Sequence, residues 1–283
     1  DPRFAGAALR NIGLIHCAKK DYELSEEYVN KALKIDPKDS AALNNLGQVL
    51  VSDRQLDKGI ECFQRALKLD TNNSLIYRNM GRALMRRRRD EEALEAFQKS
   101  MEIDSSETEA YYQFAAVLRN MEKLDEAEDF VRSALKQFPE EPMLLCELSN
   151  NLQGQFEFEQ AEKYSRQVLD INPHCGPALV TLAIVLLHTG EKEEVLELYQ
   201  KALKEIPDER AVNFNYALTL FCYGYLDEAW SQYRHRWENE SFTSPVRSFP
   251  QDQWDGSPLK GKKIIIYGEQ GLGDEIRHAS MVP

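Results

Sequence analysis

One period governs this chain. From near the N-terminus to about residue 240, small side chains recur every 34 residues: Gly13, Gly47, Gly81, Ala115, Ser149, Ala183 and Ala217. A second small column follows twelve residues later in each unit, at Ser25, Gly59, Ala93, Ala127, Ala161, Val195 and Ala229. In such an array each unit packs only on its neighbours, and the core grows as a ribbon instead of a ball. Within a unit, apolar residues recur at helical spacing in two blocks, which reads as two amphipathic helices joined by a short turn. In the second unit helix A is expected from about Ser40 to Ser52 and helix B from about Gln55 to Leu69. Gly47 and Gly59 would let these two helices approach closely, with Phe63 and the leucines filling the space around the crossing.

Helix punctuation keeps the same phase. Pro37, Pro139, Pro173 and Pro207 fall between units, where a fixed φ and a missing N–H do no harm. Asp57, Glu91, Glu92, Asp125 and Glu126 fall in first turns of helix B, favourable against the helix dipole. Seven units begin near residues 6, 40, 74, 108, 142, 176 and 210. The last one departs from the pattern with Trp230, Tyr233, Arg236 and Trp237, an aromatic end that would be costly to leave open.

The period and its columns resemble the tetratricopeptide repeat. The resemblance implies an all-α, right-handed superhelix of seven helix pairs, and a surface for binding proteins. Residues 1–243 are assigned to this solenoid. Residues 244–261, with Pro245, Pro250 and Pro258, read as an extended linker. From 262 to 283 the run Lys263-Ile264-Ile265-Ile266-Tyr267 reads as a buried parallel strand, followed by a glycine loop and a helix start. That is the opening of a truncated, Rossmann-like α/β domain, since one strand cannot form a sheet.

Composition narrows the partners. With 47 Asp and Glu against 35 Lys and Arg, the net charge of −12 argues against general binding to nucleic acid or an anionic membrane. The five cysteines (Cys17, Cys62, Cys146, Cys175, Cys222) show no metal-ligand spacing, so reduced thiols in a cytoplasmic protein and no metal site are expected. No run is apolar for long enough to span a bilayer as a helix. The chain opens on Asp1-Pro2 without a methionine, which leaves room for an upstream segment.

Three groups of residues invite a functional reading. Two positions before the first small column stand Asn11, Asn45, Asn79, Gln113, Glu147, Thr181 and Asn215. An amide can pair with both N–H and C=O of a peptide without reading its sequence. The column is similar to the asparagine ladder in the repeat domain of nucleocytoplasmic O-linked N-acetylglucosamine transferase. That likeness implies an extended polypeptide held on the concave surface; the alternative is Asn merely tolerated at a partly exposed position. Beside Asn79, Arg78 and Arg82 could hold a carboxylate or acidic peptide through forked hydrogen bonds. Arg87 to Arg89 read as a solvated helix end facing Asp90, Glu91 and Glu92.

The third group is the glycine loop of Gly268, Gly271 and Gly273, ending in Asp274. Its spacing is neither a P-loop nor a dinucleotide fingerprint. It suits either backbone contact with an anion or sugar, or a tight turn with Asp274 as helix cap. The segment from Trp254-Asp255-Gly256 through Gly271-Leu272-Gly273-Asp274 resembles the junction in bacterial tetratricopeptide–glycosyltransferase fusions with a heptosyltransferase-like domain. The resemblance implies Asp274 as candidate base, Gly271 and Gly273 near a nucleotide-sugar donor, and a recognition region that does not itself catalyse. A stand-alone, non-catalytic adaptor is the alternative, and a homo-oligomer is compatible with either. The five histidines are dispersed and suggest no site.

Overall fold

The computed structural model describes residues 2–206 and 210–233. These contain fourteen helices and no strand. In chain order they are α1 (Pro2–Ala18), α2 (Tyr22–Ile35), α3 (Ser40–Ser52), α4 (Leu56–Leu69), α5 (Ser74–Arg86), α6 (Asp90–Ile103) and α7 (Thr108–Asn120). They continue as α8 (Leu124–Gln137), α9 (Pro142–Gly154), α10 (Phe158–Ile171), α11 (Gly176–Thr189), α12 (Lys192–Glu205), α13 (Arg210–Tyr223) and α14 (Leu226–Tyr233). Six of the seven A helices begin where the period predicts; the first starts four residues earlier, at Pro2. The segments assigned to the linker and to the α/β opening, 244–261 and 262–283, lie outside the described residues.

The chain divides into two compact units, Asp1–Leu198 and a second that begins at Tyr199. In the first, α1, α3, α5, α7 and α9 each pack on their own B helix and on the next A helix, and α2, α4, α6, α8 and α10 each pack on the A helix that follows. No successive pair of B helices makes comparable contact among the described residues. Neighbours that touch along one side and part along the other form a curved wall, so α1, α3, α5, α7, α9 and α11 line its inner side.

The helix crossing is where the small columns act. A methyl added to Gly47 would lie 2.6 Å from Cε1 of Phe63, and one on Gly81 would lie 2.8 Å from Cε1 of Phe97. On Gly59 it would meet Val51 at 2.6 Å and the Gly47 carbonyl at 3.0 Å. Further along, Ala115 shares a buried cluster with Val131, a smaller partner than phenylalanine for a residue larger than glycine. In the fifth repeat both members are serine: Ser149 donates to the Ala161 carbonyl at 2.6 Å, and its Oγ lies 2.7 Å from that of Ser165. Size complementarity therefore gives way to a buried hydrogen bond at one crossing, without loss of close approach.

A further 34-residue column ends the A helices. Lys20, Arg54, Arg88, Glu122 and Phe156 all have φ between 61° and 65°, and Gly224 has φ of 82°. After each, the next N–H returns to a carbonyl five residues back, as from Gln55 to Leu50 at 2.8 Å and from Arg89 to Leu84 at 3.0 Å. This left-handed cap satisfies the open carbonyls and turns the chain into helix B. Asp39 and Asn73 cap the starts of α3 and α5 by accepting from Ala42 N and Ile76 N.

In the second unit α13 packs on α14. Trp230 sits edge-on to Phe221, with centroids 4.9 Å apart, and to Tyr233, yet remains 57% exposed. Tyr199 stacks at a tilt on Tyr216, whose phenol donates to Glu228 at 2.9 Å. Trp237 lies outside the described residues.

Candidate functional site

The inner wall of the first unit is polar, and its polar groups are joined from one repeat to the next. Asn79 on α5 is 6% exposed and donates from Nδ2 to Oδ1 of Asn44 on α3 at 2.9 Å. Arg86 Nη1 donates to the Val51 carbonyl at 3.1 Å, a second link between the same helices. Further along, Arg119 pairs with Glu147 at 3.3 Å, and Asn150 Nδ2 reaches Glu147 at 3.4 Å. Thr181 on α11 donates to Asn150 Oδ1 at 2.7 Å. At the other end Arg10 pairs with Asp39, the cap of α3.

The asparagine column divides under this geometry. Asn45 is 8% exposed, and its side chain takes no partner among the described residues. A buried amide ordinarily finds partners within the fold; here the slight opening leaves both its donors and its acceptor to whatever lies along the wall. Asn11 is exposed on α1. Asn79 spends one N–H on Asn44 and keeps its other N–H and its carbonyl oxygen. Asn215 is half-buried on α13, in the second unit.

The arginine stripe already holds carboxylates, and they are the chain's own. Arg78 pairs with Glu107, and its Nε lies 3.3 Å from Oε2 of Glu109. Arg82 Nη1 lies 3.4 Å from Oε1 of the same glutamate. Tyr112 stands beside them, its phenol held above the ordinary tyrosine range by burial and by the Glu109 charge. An incoming acidic group would compete with Glu107 and Glu109 for Arg78. At the helix end, Arg87 meets Asp57 at 3.0 Å and Arg89 meets Glu92 at 2.6 Å.

Asn44, Asn150 and the Arg119–Glu147 pair went unremarked in the sequence reading. Asn44 and Asn150 lie one position before and three after the asparagine column in their units, which was a usable signal. Asp274, Gly271 and Gly273 lie outside the described residues. Among the described residues no group of three or more His, Cys, Asp or Glu could hold a metal ion, and no helix is long and apolar enough to cross a membrane. A shallow, open depression between α4, α5 and α6 is lined by Gln64, Tyr77, Met80, Glu95 and Lys99.

Models of a family described as tetratricopeptide repeat match residues 4–72 and 38–106, 108–141 and 152–229. Protein FlbA of Caulobacter vibrioides is 32% identical over 120 residues, which are 41% of this chain and 20% of that protein. The match therefore spans about a fifth of that relative's length. The crystal structure of yeast Tom70 is similar with a TM-score of 0.66 at 22% identity, over 83% of this chain and 50% of that one. A chain of the APC/C hetero-tetramer Cut9–Hcn1 is similar with a TM-score of 0.61 at 16% identity, over 76% of this chain and 43% of that one.

Proposed function

We propose that this tetratricopeptide-repeat protein is a protein-binding scaffold that holds an extended polypeptide along the inner wall of its helix pairs, in the cytoplasm. One observation carries the reading: Asn45, nearly buried on the inner wall, has an amide with no internal partner among the described residues. A peptide backbone offers the donor and the acceptor that such an amide lacks, whatever its side chains. Asn79 and Asn11 extend the same row, while the bonds joining neighbouring A helices hold it in place beforehand. Preorganisation of this kind lowers the ordering cost of binding. The assembly of Cut9 with Hcn1 supports a protein as the kind of partner.

Asn45→Ala is the cleanest test, because that side chain makes no bond that the fold requires. A photo-crosslinker at Gln48, on the same face of α3, is expected to capture protein from cell extract, whereas one at the exposed Lys99 on α6 is not. Adding Asn45→Ala should weaken binding of a captured partner roughly tenfold, the worth of one or two hydrogen bonds, with helicity unchanged. Equal capture from the outer position, or unchanged affinity, would sink the proposal.

A second reading places this scaffold beside a glycosyltransferase activity, with Asp274 as base and Gly271 and Gly273 against a nucleotide-sugar. It rests on the sequence from Trp254 to Asp274 alone. Nucleotide-sugar binding by the protein, measured calorimetrically, is its expected sign; a protein that binds none leaves the non-catalytic scaffold.

A further inference from the structure

Two of the five cysteines meet inside the array. Cys146 lies on α9, in the fifth repeat, and is 1% exposed. Cys175 lies 29 residues later, at the N-cap of α11 in the sixth repeat, and is 7% exposed. Both lie in one small buried cluster with Leu145, Val168 and Ala178, with Tyr164 packed against it. Both are free thiols. The ordinary fate of a buried cysteine is to serve as a small apolar residue. Cys62 follows it, with its thiol pushed up by burial. The Cys146–Cys175 pair differs, because the two share one small cluster although they belong to adjacent repeats.

We propose that Cys146 and Cys175 are an oxidisable dithiol which closes to a disulfide under hydrogen peroxide and ties the fifth repeat to the sixth.

The two thiols have distinct parts. Cys175 is the attacking sulfur: it is the more exposed of the two, 7% against 1%, and the neighbouring Cys146 thiol lowers its pKa to about 6. The neighbouring Cys175, and then burial, hold Cys146 well above the usual thiol range, so it waits as the protonated, resolving partner. The Cys175 thiolate attacks one peroxide oxygen and the O–O bond breaks. The departing hydroxide takes a proton to leave as water, and Cys175 becomes a sulfenic acid. The Cys146 sulfur then attacks Cys175, an S–S bond forms, and the sulfenic hydroxyl leaves with the Cys146 proton as a second water. Two thiols are oxidised by two electrons and one peroxide is reduced to two waters. Only a small oxidant suits so enclosed a pair, which is why peroxide is the reagent and not a bulky disulfide.

The tie would fall where α9 and α11 are already joined by Asn150 and Thr181. Its effect is to remove the freedom of one repeat to open against the next, with no change in the path of the chain.

The experiment treats the whole chain with hydrogen peroxide at neutral pH, blocks the remaining thiols by alkylation and maps peptides by mass spectrometry without reduction. A Cys146–Cys175 cross-linked peptide is expected, reversed by dithiothreitol, and formed before the exposed Cys222 is sulfenylated. In Cys146→Ser the intermediate should persist at Cys175, where a dimedone probe marks it. The oxidised wild-type chain should show a raised Tm and slower hydrogen exchange in α9 and α11. Oxidation of Cys222 with no Cys146–Cys175 cross-link in the wild-type chain overturns the proposal, whether or not the Cys146→Ser variant folds.

Discussion

Replacing Gly47 by alanine adds one methyl group at the crossing of α3 and α4. That methyl would lie 2.6 Å from Cε1, 2.8 Å from Cδ1 and 2.9 Å from Cζ of Phe63. Carbon atoms in contact prefer about 3.5–4.0 Å, so ring and helix must part by roughly 1 Å. Phe63 is fully enclosed and cannot swing into water. Overpacking of this kind costs about 1–3 kcal/mol. Against it stands the helix preference for alanine over glycine, about 1 kcal/mol. The clash wins, and a net loss of about 1 kcal/mol is expected. Gly6 on α1 supplies the contrast, because a methyl there meets nothing within 4 Å and only the helix preference acts. Gly6→Ala should therefore stabilise by up to about 1 kcal/mol. A third variant closes the argument: with Phe63→Leu in place, Gly47→Ala should become harmless, giving a coupling of about 1–2 kcal/mol in the double-mutant cycle. Urea melts followed by circular dichroism report the array, and native-state hydrogen exchange of α3 and α4 reports the repeat itself, since one repeat can open before the rest. If Gly47→Ala stabilised the chain as Gly6→Ala does, close approach would not be the reason for glycine in this column.

Two further outcomes follow from buried polar groups. Ser149→Ala removes the acceptor that Ser165 uses and should cost about 1–2 kcal/mol, while the Ser149→Ala/Ser165→Ala pair should cost less than the sum of the single changes; additive losses in thermal melts would refute a linked pair. Burial pushes the Tyr199 phenol up to about 12. Above pH 10 the unfolded chain loses this proton while the folded chain keeps it, so stability is whole below pH 10 and falls by about 2–3 kcal/mol as pH rises to 12. Tyr199→Phe should flatten that part of a denaturation-against-pH curve, and an unchanged slope would place the alkaline sensitivity elsewhere, as in Tyr216, also raised by burial.

Helix positions were legible in the sequence because the period acts through sterics that no distant contact can override. Small residues mark crossings, and a crossing fixes two helices at once. Ser149 read only as a tolerated substitute, since a pattern of sizes carries no sign that Ser165 answers it across the helix pair. The left-handed cap was hidden for a similar reason. Ahead of Gly224 its column holds lysine, arginine, glutamate and phenylalanine, so the backbone geometry recurs with no shared residue type to betray it. At the candidate site the asparagine column placed Asn45 and Asn79 on the inner wall but could not separate them. One faces its own repeat neighbour and the other does not, and that depends on Asn44, a residue outside the column. The arginines show the same limit: their spacing along α5 suggested a carboxylate brought by a partner, and could not reveal that Glu107 and Glu109 of the same chain lie against them.

In the first unit successive A helices touch directly, while successive B helices are bridged through long side chains, Arg132 to Tyr164 and Arg166 to Glu194. Considered as a beam, the unit has its inextensible fibre on the inner side, where Asn44–Asn79, Arg86–Val51 and Asn150–Thr181 bridge successive A helices. Its neutral axis is displaced toward that side, and the B helices form compliant fibres that spread or close as the beam bends. Changes of curvature then alter the outer spacings while the pitch of the inner row stays nearly constant. A bound strand lying along the inner row would keep its register through such bending, like a ruler fixed to the inner edge of a bow.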